Sequence, residues 1–265
     1  MKFTVLGSTG FIGRHMTQHL RAQGIDVETP PRGAGLKGKN LGHVIYAIGL
    51  AGTSTFRRQP RAAVDAHVNI LQRLLEETTF DSWLYLSSTR IYSGLPAGAT
   101  GREDERVSIM PSADALYDLT KLLGESICLN DARDTVRIAR LSNVYGAGQS
   151  QNLFLGAILA SLQKTGEVTI QEGPLSAKDY ISVTDVVKKL QAIALTGRER
   201  IYNVASGKNV THQDIAAKII SCGKKVAFAP DGVTRIFPTI DTTRMVRDFG
   251  PTANDILTDL PLLLN

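Results

Sequence analysis

Cysteine is nearly absent: Cys128 and Cys222 are the only two in 265 residues, far apart and outside any C-x-x-C spacing or His/Cys cluster. A disulfide framework and a zinc site are thereby left without support, and a reduced, cytoplasmic compartment is the expectation. Long hydrophobic runs are missing as well. The stretch around Val44 to Ala51 falls far short of the roughly 20 residues that span a bilayer, and the apolar run after Lys2 ends at Leu6, too short for an export signal. A soluble protein with no membrane partner is expected. Blocks of basic charge are lacking too: 30 Lys+Arg against 25 Asp+Glu give +5, scattered singly, which speaks against nucleic acid and for small anionic ligands. No internal repeat or low-complexity tract is visible. What remains is a chain with 43% apolar residues, enough for one sizeable core or two small ones, so disorder and mini-protein scaffolds are excluded.

As far as Gly146, short apolar runs alternate with helical-period segments, the pattern of a parallel sheet covered by helices on both faces. The runs are Phe3–Leu6, Ile25–Val27, His43–Ala47, Trp83–Leu86 and Val136–Leu141, each expected to lead into a crossover helix. Apolar stripes mark three helices: Ile12, Met16 and Leu20; Val64, Val68, Leu71 and Leu75; and Leu119, Leu122, Leu123 and Ile127. Pro30–Gly42 and Ser93–Asp114, rich in Gly and Pro, read as loops. Beyond Gly146 the pattern predicts helices near 154–165, 183–195, 213–221 and 242–249, with strands near 168–170, 201–205 and 225–228. This tail is too short for an independent domain and should form a cap.

Gly7-Ser8-Thr9-Gly10-Phe11-Ile12-Gly13 joins the first strand to the first helix. Glycines there permit a tight turn and let backbone amides approach a pyrophosphate seated on the helix N-terminus, so the loop is assigned to a dinucleotide, with Ala47 at the end of the third strand. An NAD site places an acid at the end of the second strand to accept from the ribose hydroxyls. Glu28 is the only nearby acid and lies inside the strand, whereas Arg32 at its tip suits the 2′-phosphate of NADP. The reading is therefore NADP or NAD, with NADP favoured.

Tyr117 and Lys121 stand at i and i+4 of a predicted helix, on one face. A phenol of pKa near 10 trades protons at neutral pH only with a nearby cation, and Lys121 supplies it. Ser87-Ser88-Thr89-Arg90 closes the fourth strand, at the sheet edge where ligands of open α/β folds bind. Ser88 can hold a substrate oxygen against the tyrosine.

With these residues the chain resembles the extended short-chain dehydrogenase/reductases, in the branch of NAD-dependent epimerase/dehydratases. The resemblance covers nearly the whole chain: the Gly7, Gly10, Gly13 loop, the Ser87–Tyr92 strand end, Tyr117-x-x-x-Lys121, Arg140-Leu-Ser-Asn143-Val-Tyr145-Gly146, Lys178–Asp185 and Tyr202–Gly207. It implies an α/β, Rossmann-type doubly wound parallel sheet (1–148 and 182–204) with a smaller substrate-binding cap (149–181 and 205–265). The implied activity is hydride transfer at a carbonyl or alcohol carbon of a nucleotide sugar, by a 4-keto reductase or a 4-epimerase. By the same resemblance Tyr117 is the acid/base, Lys121 binds the nicotinamide ribose and lowers the tyrosine pKa, Ser88 contacts the reacting oxygen, and Asn143 meets the nucleotide phosphates. Thr89, Arg90 and Lys178 join the substrate-binding set.

Departures from the branch sharpen this. Its dehydratases carry an Asp-Glu pair where Thr89 and Arg90 stand, which disfavours dehydration, and the branch's usual Arg and Asn fall at Lys178 and His67, with Asn69 close by. A non-catalytic dinucleotide-binding regulatory protein and a reductase of non-sugar carbonyls are the alternatives. No metal is expected: His15 and His19 are read as the flank of a surface helix, and Arg57, Arg58 and Arg61 as a solvated helix start. A homodimer through the helices of Leu71/Leu75 and Leu119/Leu123 completes the expectations.

Overall fold

The computed structural model describes residues 1–50, 58–96 and 98–264; Arg57 of the basic cluster lies outside them. Along the chain, β1 (Lys2–Leu6), α1 (Phe11–Ala22) and β2 (Asp26–Glu28) precede β3 (His43–Tyr46). Residues 60–77 form α2, in which α-helical Pro60–Val64 and Ile70–Glu77 flank a π-helical turn over Asp65–Asn69. Next come β4 (Ser82–Ser88), a 3₁₀ turn (Thr89–Gly94), β5 (Thr100–Gly101), α3 (Leu116–Asn130), β6 (Val136–Leu141) and β7 (Asn143–Tyr145). The rest comprises α4 (Phe154–Thr165), β8 (Glu167–Ile170), β9 (Ala177–Ser182), α5 (Val183–Thr196), β10 (Ile201–Val204) and β11 (Asn209–Thr211). It ends with α6 (His212–Ser221), β12 (Lys225–Phe228), β13 (Thr239–Ile240), α7 (Thr243–Phe249) and α8 (Ile256–Leu264).

Six strands form one parallel sheet in the order β10-β6-β4-β3-β1-β2. Strands covered on both faces must be apolar on both, and Val44, Ile45 and Tyr46 of β3 and Trp83 to Tyr85 of β4 are fully buried. One face packs against α1 and α5 through Met16, Leu20, Val186 and Leu190. The other packs against α2 and α3 through Leu71, Leu74 and Cys128. From β1 the chain steps outward to β2 and then returns past β1 to β3, so the topological switch lies between β1 and β3, where a crevice opens beyond the strand ends.

Three local readings change. No helix follows β2 among the described residues: the glycines and prolines of 29–42 break one, and Leu36 and Leu41 are buried from a loop instead. Within the stretch read as a loop, Thr100–Gly101 pairs in parallel with Thr239–Ile240, a contact no local pattern announces. At the C-terminus α8 forms despite Pro261, because Ile256 and Leu260 are buried in the cap core with Leu159, Ile215 and Ile219.

The cap carries a three-stranded sheet β11-β9-β7 and a pair β12-β8. Ile181, Met245 and Phe249 pack into the core of the main sheet, and polar residues fix the junction. Asp179 of β9 accepts from the backbone of Ser206, Gly207 and Lys208, just after β10. Lys189 of α5 donates to the carbonyls of Phe249, Gly250 and Pro251 at 2.7–3.0 Å.

Candidate active site

The glycine loop is shaped by contacts that only glycine permits. Gly7 has φ +85°, and a Cβ there would lie 2.6 Å from the Ala47 carbonyl oxygen, while one on Gly13 would lie 2.2 Å from that of Gly7. The loop therefore presses on the end of β3 with bare backbone. Gly10 caps α1 without a side-chain bond and the first helical turn has no acid, so its leading amides are available to an anion. Ser8 to Gly10 form the open tip, and Phe11 and Ile12 pack inward against the core. The cradle fits a dinucleotide pyrophosphate. Behind it, His15 Nε2 meets the Ala147 carbonyl at 2.9 Å and His19 pairs with Gln191, so both histidines have structural partners.

Glu28 is the last residue of β2, at the strand tip rather than inside the strand as the sequence pattern suggested, because the strand ends before Pro30; Arg32 is exposed on the loop four residues on. The Glu28 carboxylate is held 2.7 Å from Lys2 Nζ.

At the end of β4 the expected constellation assembles. Ser88 lies beside Tyr117; burial raises the tyrosine pKa, and the Ser88 hydroxyl opposes that rise. Lys121 lies one helical turn on, its Nζ donating to the Leu86 carbonyl at 2.7 Å. Loss of solvent lowers its pKa to about 7 against the pull of Glu125. The depth of this lysine has a local cause. A Cβ at Gly124 would lie 2.4 Å from Tyr85 Oη and 2.8 Å from the His67 carbonyl oxygen, so α3 presses directly on the Tyr85 side chain of β4 and on the backbone of α2.

His67 belongs to this site. Fully buried, it meets the Thr120 hydroxyl through Nδ1 at 2.9 Å and sets its ring edge-on to Tyr117 at 5.8 Å between centroids. Burial and the Lys121 charge hold its pKa down at about 2, so the ring is neutral. Asn69 instead is exposed and bonded to Asp65. The π turn over these residues shifts the register between inward and outward positions, which a 3.6-residue period does not reveal.

The substrate-side residues fall into two groups. Thr89 is buried against the Leu141 carbonyl, and Arg90 forms an ion pair with Asp118 at 3.2 Å, both beside Tyr117. Asn143 donates to the Asp179 carbonyl and, with Gln149, Leu153, Phe154 and Tyr180, lines a small cleft of about 40 Å³. Lys178 is buried beside that cleft, 3.0 Å from Glu172 and 4.7 Å from the centre of the Phe154 ring. Glu172 was not singled out from sequence, since nothing local connects it to Lys178. A larger groove, about 470 Å³ between α4, β8 and β12, holds none of these side chains.

Beneath the site runs a buried polar network. Arg140 grips Glu125 with two nitrogens, Nη2 at 2.7 Å and Nε at 3.0 Å, Ser87 donates to the same carboxylate at 2.5 Å, and Arg140 Nη1 reaches the Tyr92 hydroxyl at 2.6 Å. Both charged residues are nearly solvent-free. The motif serine, the tyrosine helix and the Arg140 strand are thus joined at one point.

Residues 3–205 match the model of the NAD dependent epimerase/dehydratase family. The dTDP-4-dehydro-6-deoxy-D-allose reductase of Streptomyces sp is 23% identical over 259 residues, covering 82% of this chain and 79% of that one. The dTDP-6-deoxy-L-talose 4-dehydrogenase (NAD(P)(+)) of Kitasatospora kifunensis is 26% identical over 262 residues, covering 83% and 78%. Among solved structures, MoeE5 in complex with UDP-glucose and NAD superposes with a TM-score of 0.81 at 21% identity over 100% of this chain and 97% of that one. RMD from Pseudomonas aeruginosa complexed with NADPH gives 0.80 at 18% identity, over 99% and 97%.

Proposed function

As this chain belongs to the NAD dependent epimerase/dehydratase family, we propose that it is an NAD(P)-dependent oxidoreductase acting at a carbonyl or alcohol carbon of a nucleotide sugar, as a 4-keto reductase or a 4-epimerase. The observation that carries this is the gathering of Ser88, Tyr117 and, one helical turn on, Lys121 at the carboxyl end of β4, where Lys121 Nζ donates to the Leu86 carbonyl. The nicotinamide cofactor, when bound, supplies or takes up a hydride at the sugar carbon. The chain's own part is the proton: Tyr117 Oη gives it to or takes it from the sugar oxygen, Ser88 holds that oxygen in place, and Lys121 and His67 line the floor. With Thr89 and Arg90 after Ser88, the chain offers no acid pair for eliminating water. The division into a dinucleotide-binding part (1–148 and 182–204) and a substrate cap (149–181 and 205–265) goes with this reading, as does a cytoplasmic location.

Incubation with dTDP- and UDP-linked sugars and 4-keto sugars, with NADPH or NAD, should give one of two results. A reductase consumes reduced cofactor in step with product, whereas a 4-epimerase interconverts sugars and consumes none. Turnover of no nucleotide sugar overturns the proposal. One observation favours the second reading, a non-sugar carbonyl reductase: Glu172 neutralises Lys178, the cation expected at the diphosphate. Under that reading simple ketones are reduced and nucleotide diphosphates do not compete.

For the cofactor we favour NADP, because Glu28 is engaged by Lys2 while Arg32 stands on the loop that follows. Replacing Arg32 by Ala should weaken NADP binding by about 1.5–3 kcal/mol, the range for hydrogen bonds to a charged group, and leave NAD binding nearly unchanged. Calorimetric titration of both cofactors into both proteins checks it.

The homodimer also stands as a proposal, on a narrower surface than the sequence stripes suggest. Leu71 and Leu75 are core residues, 0% and 5% exposed, whereas Leu119 and Leu123 of α3 are 38% and 49% exposed. Changing the latter pair to Glu should convert a sedimenting dimer to monomer at micromolar concentration; a wild-type protein that is already monomeric removes the proposal.

A further inference from the structure

Beside the catalytic tyrosine lies a charge pair that the chemistry above does not use. Arg90 enters the 3₁₀ turn after β4 with its backbone N–H donated to the Ser88 hydroxyl at 3.2 Å. Its guanidinium carbon lies 5.6 Å from the centre of the Tyr117 ring. Asp118, the residue after Tyr117 on α3, anchors the guanidinium at Nε, 3.2 Å away, from a side chain only 8% exposed. A cation in this place is attracted by the ring face, and it favours any negative charge that develops on the phenol oxygen.

The other groups around Tyr117 supply less fixed charge. Ser88 and Tyr85 from β4 are neutral, and His67 from α2 is held neutral by burial. Lys121 from α3 donates from Nζ to the Leu86 carbonyl, and loss of solvent lowers its pKa to about 7. Asp118 acts on the tyrosine with the opposite sign to Arg90. Arginine alone among these cations keeps its charge at any working pH.

We propose that Arg90, fixed over the Tyr117 ring by Asp118, is a positioning residue of the reaction, a second cation beside Lys121 that sets how readily the tyrosine hydroxyl releases and regains its proton. The proposal rests on the functional reading above in taking Tyr117 as the acid/base. It gives Arg90 a task different from binding substrate, and it makes opposite predictions for the two members of one ion pair.

The test follows the ionisation of Tyr117 directly, by NMR of protein labelled at the tyrosine ζ-carbons, with the Tyr117 signal identified as the one lost in Tyr117→Phe. No substrate is needed. Arg90→Gln should raise the midpoint by about one pH unit, Asp118→Asn should lower it, and Arg90→Lys should stay close to wild type. Disturbed packing alone does not move the midpoint in opposite directions for the two partners. An unmoved or lowered midpoint in Arg90→Gln, or shifts of the same sign in both variants, overturns the proposal. Should Arg90→Gln fail to fold, Asp118→Asn decides: no downward shift overturns it. Opposite shifts in a protein that turns over no nucleotide sugar would defeat the functional reading while leaving the charge pair established.

Discussion

Tyr117→Phe lowers turnover by about 10²-fold or more while the protein folds and binds cofactor as before, if the tyrosine carries the proton. The substitution removes one oxygen and keeps the ring. The ring therefore keeps its edge contact with His67 and its place under Arg90, and loses only what its hydroxyl makes with Ser88 beside it. One hydrogen bond accounts for about 1 kcal/mol of stability, too little to unfold a domain of this size, so lost activity in a folded variant reports chemistry. Steady-state rates on whichever sugar nucleotide the wild type accepts, alongside thermal melts and cofactor titration, separate the two effects. A rate within about twofold of wild type would show that another group moves the proton, and the neutral His67 ring would be the next to examine.

Glu125→Ala destabilises the protein by about 3–5 kcal/mol, the usual cost of breaking a buried ion pair from one side. The reason is the partner left behind. Arg140 is 5% exposed and loses a carboxylate gripped through two nitrogens, while Ser87 loses the acceptor it meets at 2.5 Å. The guanidinium is nearly solvent-free, so without Glu125 its charge stays buried with no carboxylate to pair it. Urea denaturation measures the loss directly. Replacing Glu125 and Arg140 together by Leu and Met should cost much less, since neither charge is then stranded. A single variant within about 1 kcal/mol of wild type would show that solvent reaches Arg140 after all. Activity should fall even at temperatures where Glu125→Ala is folded, because Ser87 and Glu125 align the β4 end, with Ser88, against the helix of Tyr117 and Lys121.

Arg90 and Asp118 illustrate how one substitution class can change a site's options. The resemblance places an acid pair after the serine in enzymes that eliminate water, and an arginine there has no proton to give at neutral pH. What it does have is a lasting charge, held in a fixed place by a buried aspartate. Both proposals, that the chain does not dehydrate its substrate and that Tyr117 is tuned by a second cation, rest on the same side chain.

The sequence by itself determined the features whose causes are local. The strand-to-helix glycine loop was legible because Gly7 and Gly13 meet steric demands set within a few residues, and the Tyr117–Lys121 pairing because helix geometry repeats every 3.6 residues. Strand and helix order followed from apolar periodicity, and with it the parallel sheet, whereas the switch between β1 and β3 was set by the order in which the strands pair. Only the tertiary structure decided which of His67 and Asn69 faces the tyrosine, because a π turn breaks the period that would have told them apart. It also decided that Leu71 and Leu75 are core whereas Leu119 and Leu123 are surface, although all four lie on apolar stripes. Glu125 with Arg140, Arg90 with Asp118 and Lys178 with Glu172 are each joined by the fold. A charge in a sequence has no partner until two segments meet, and burial, which fixes whether that partner is worth several kcal/mol or almost nothing, is a property of the packed chain.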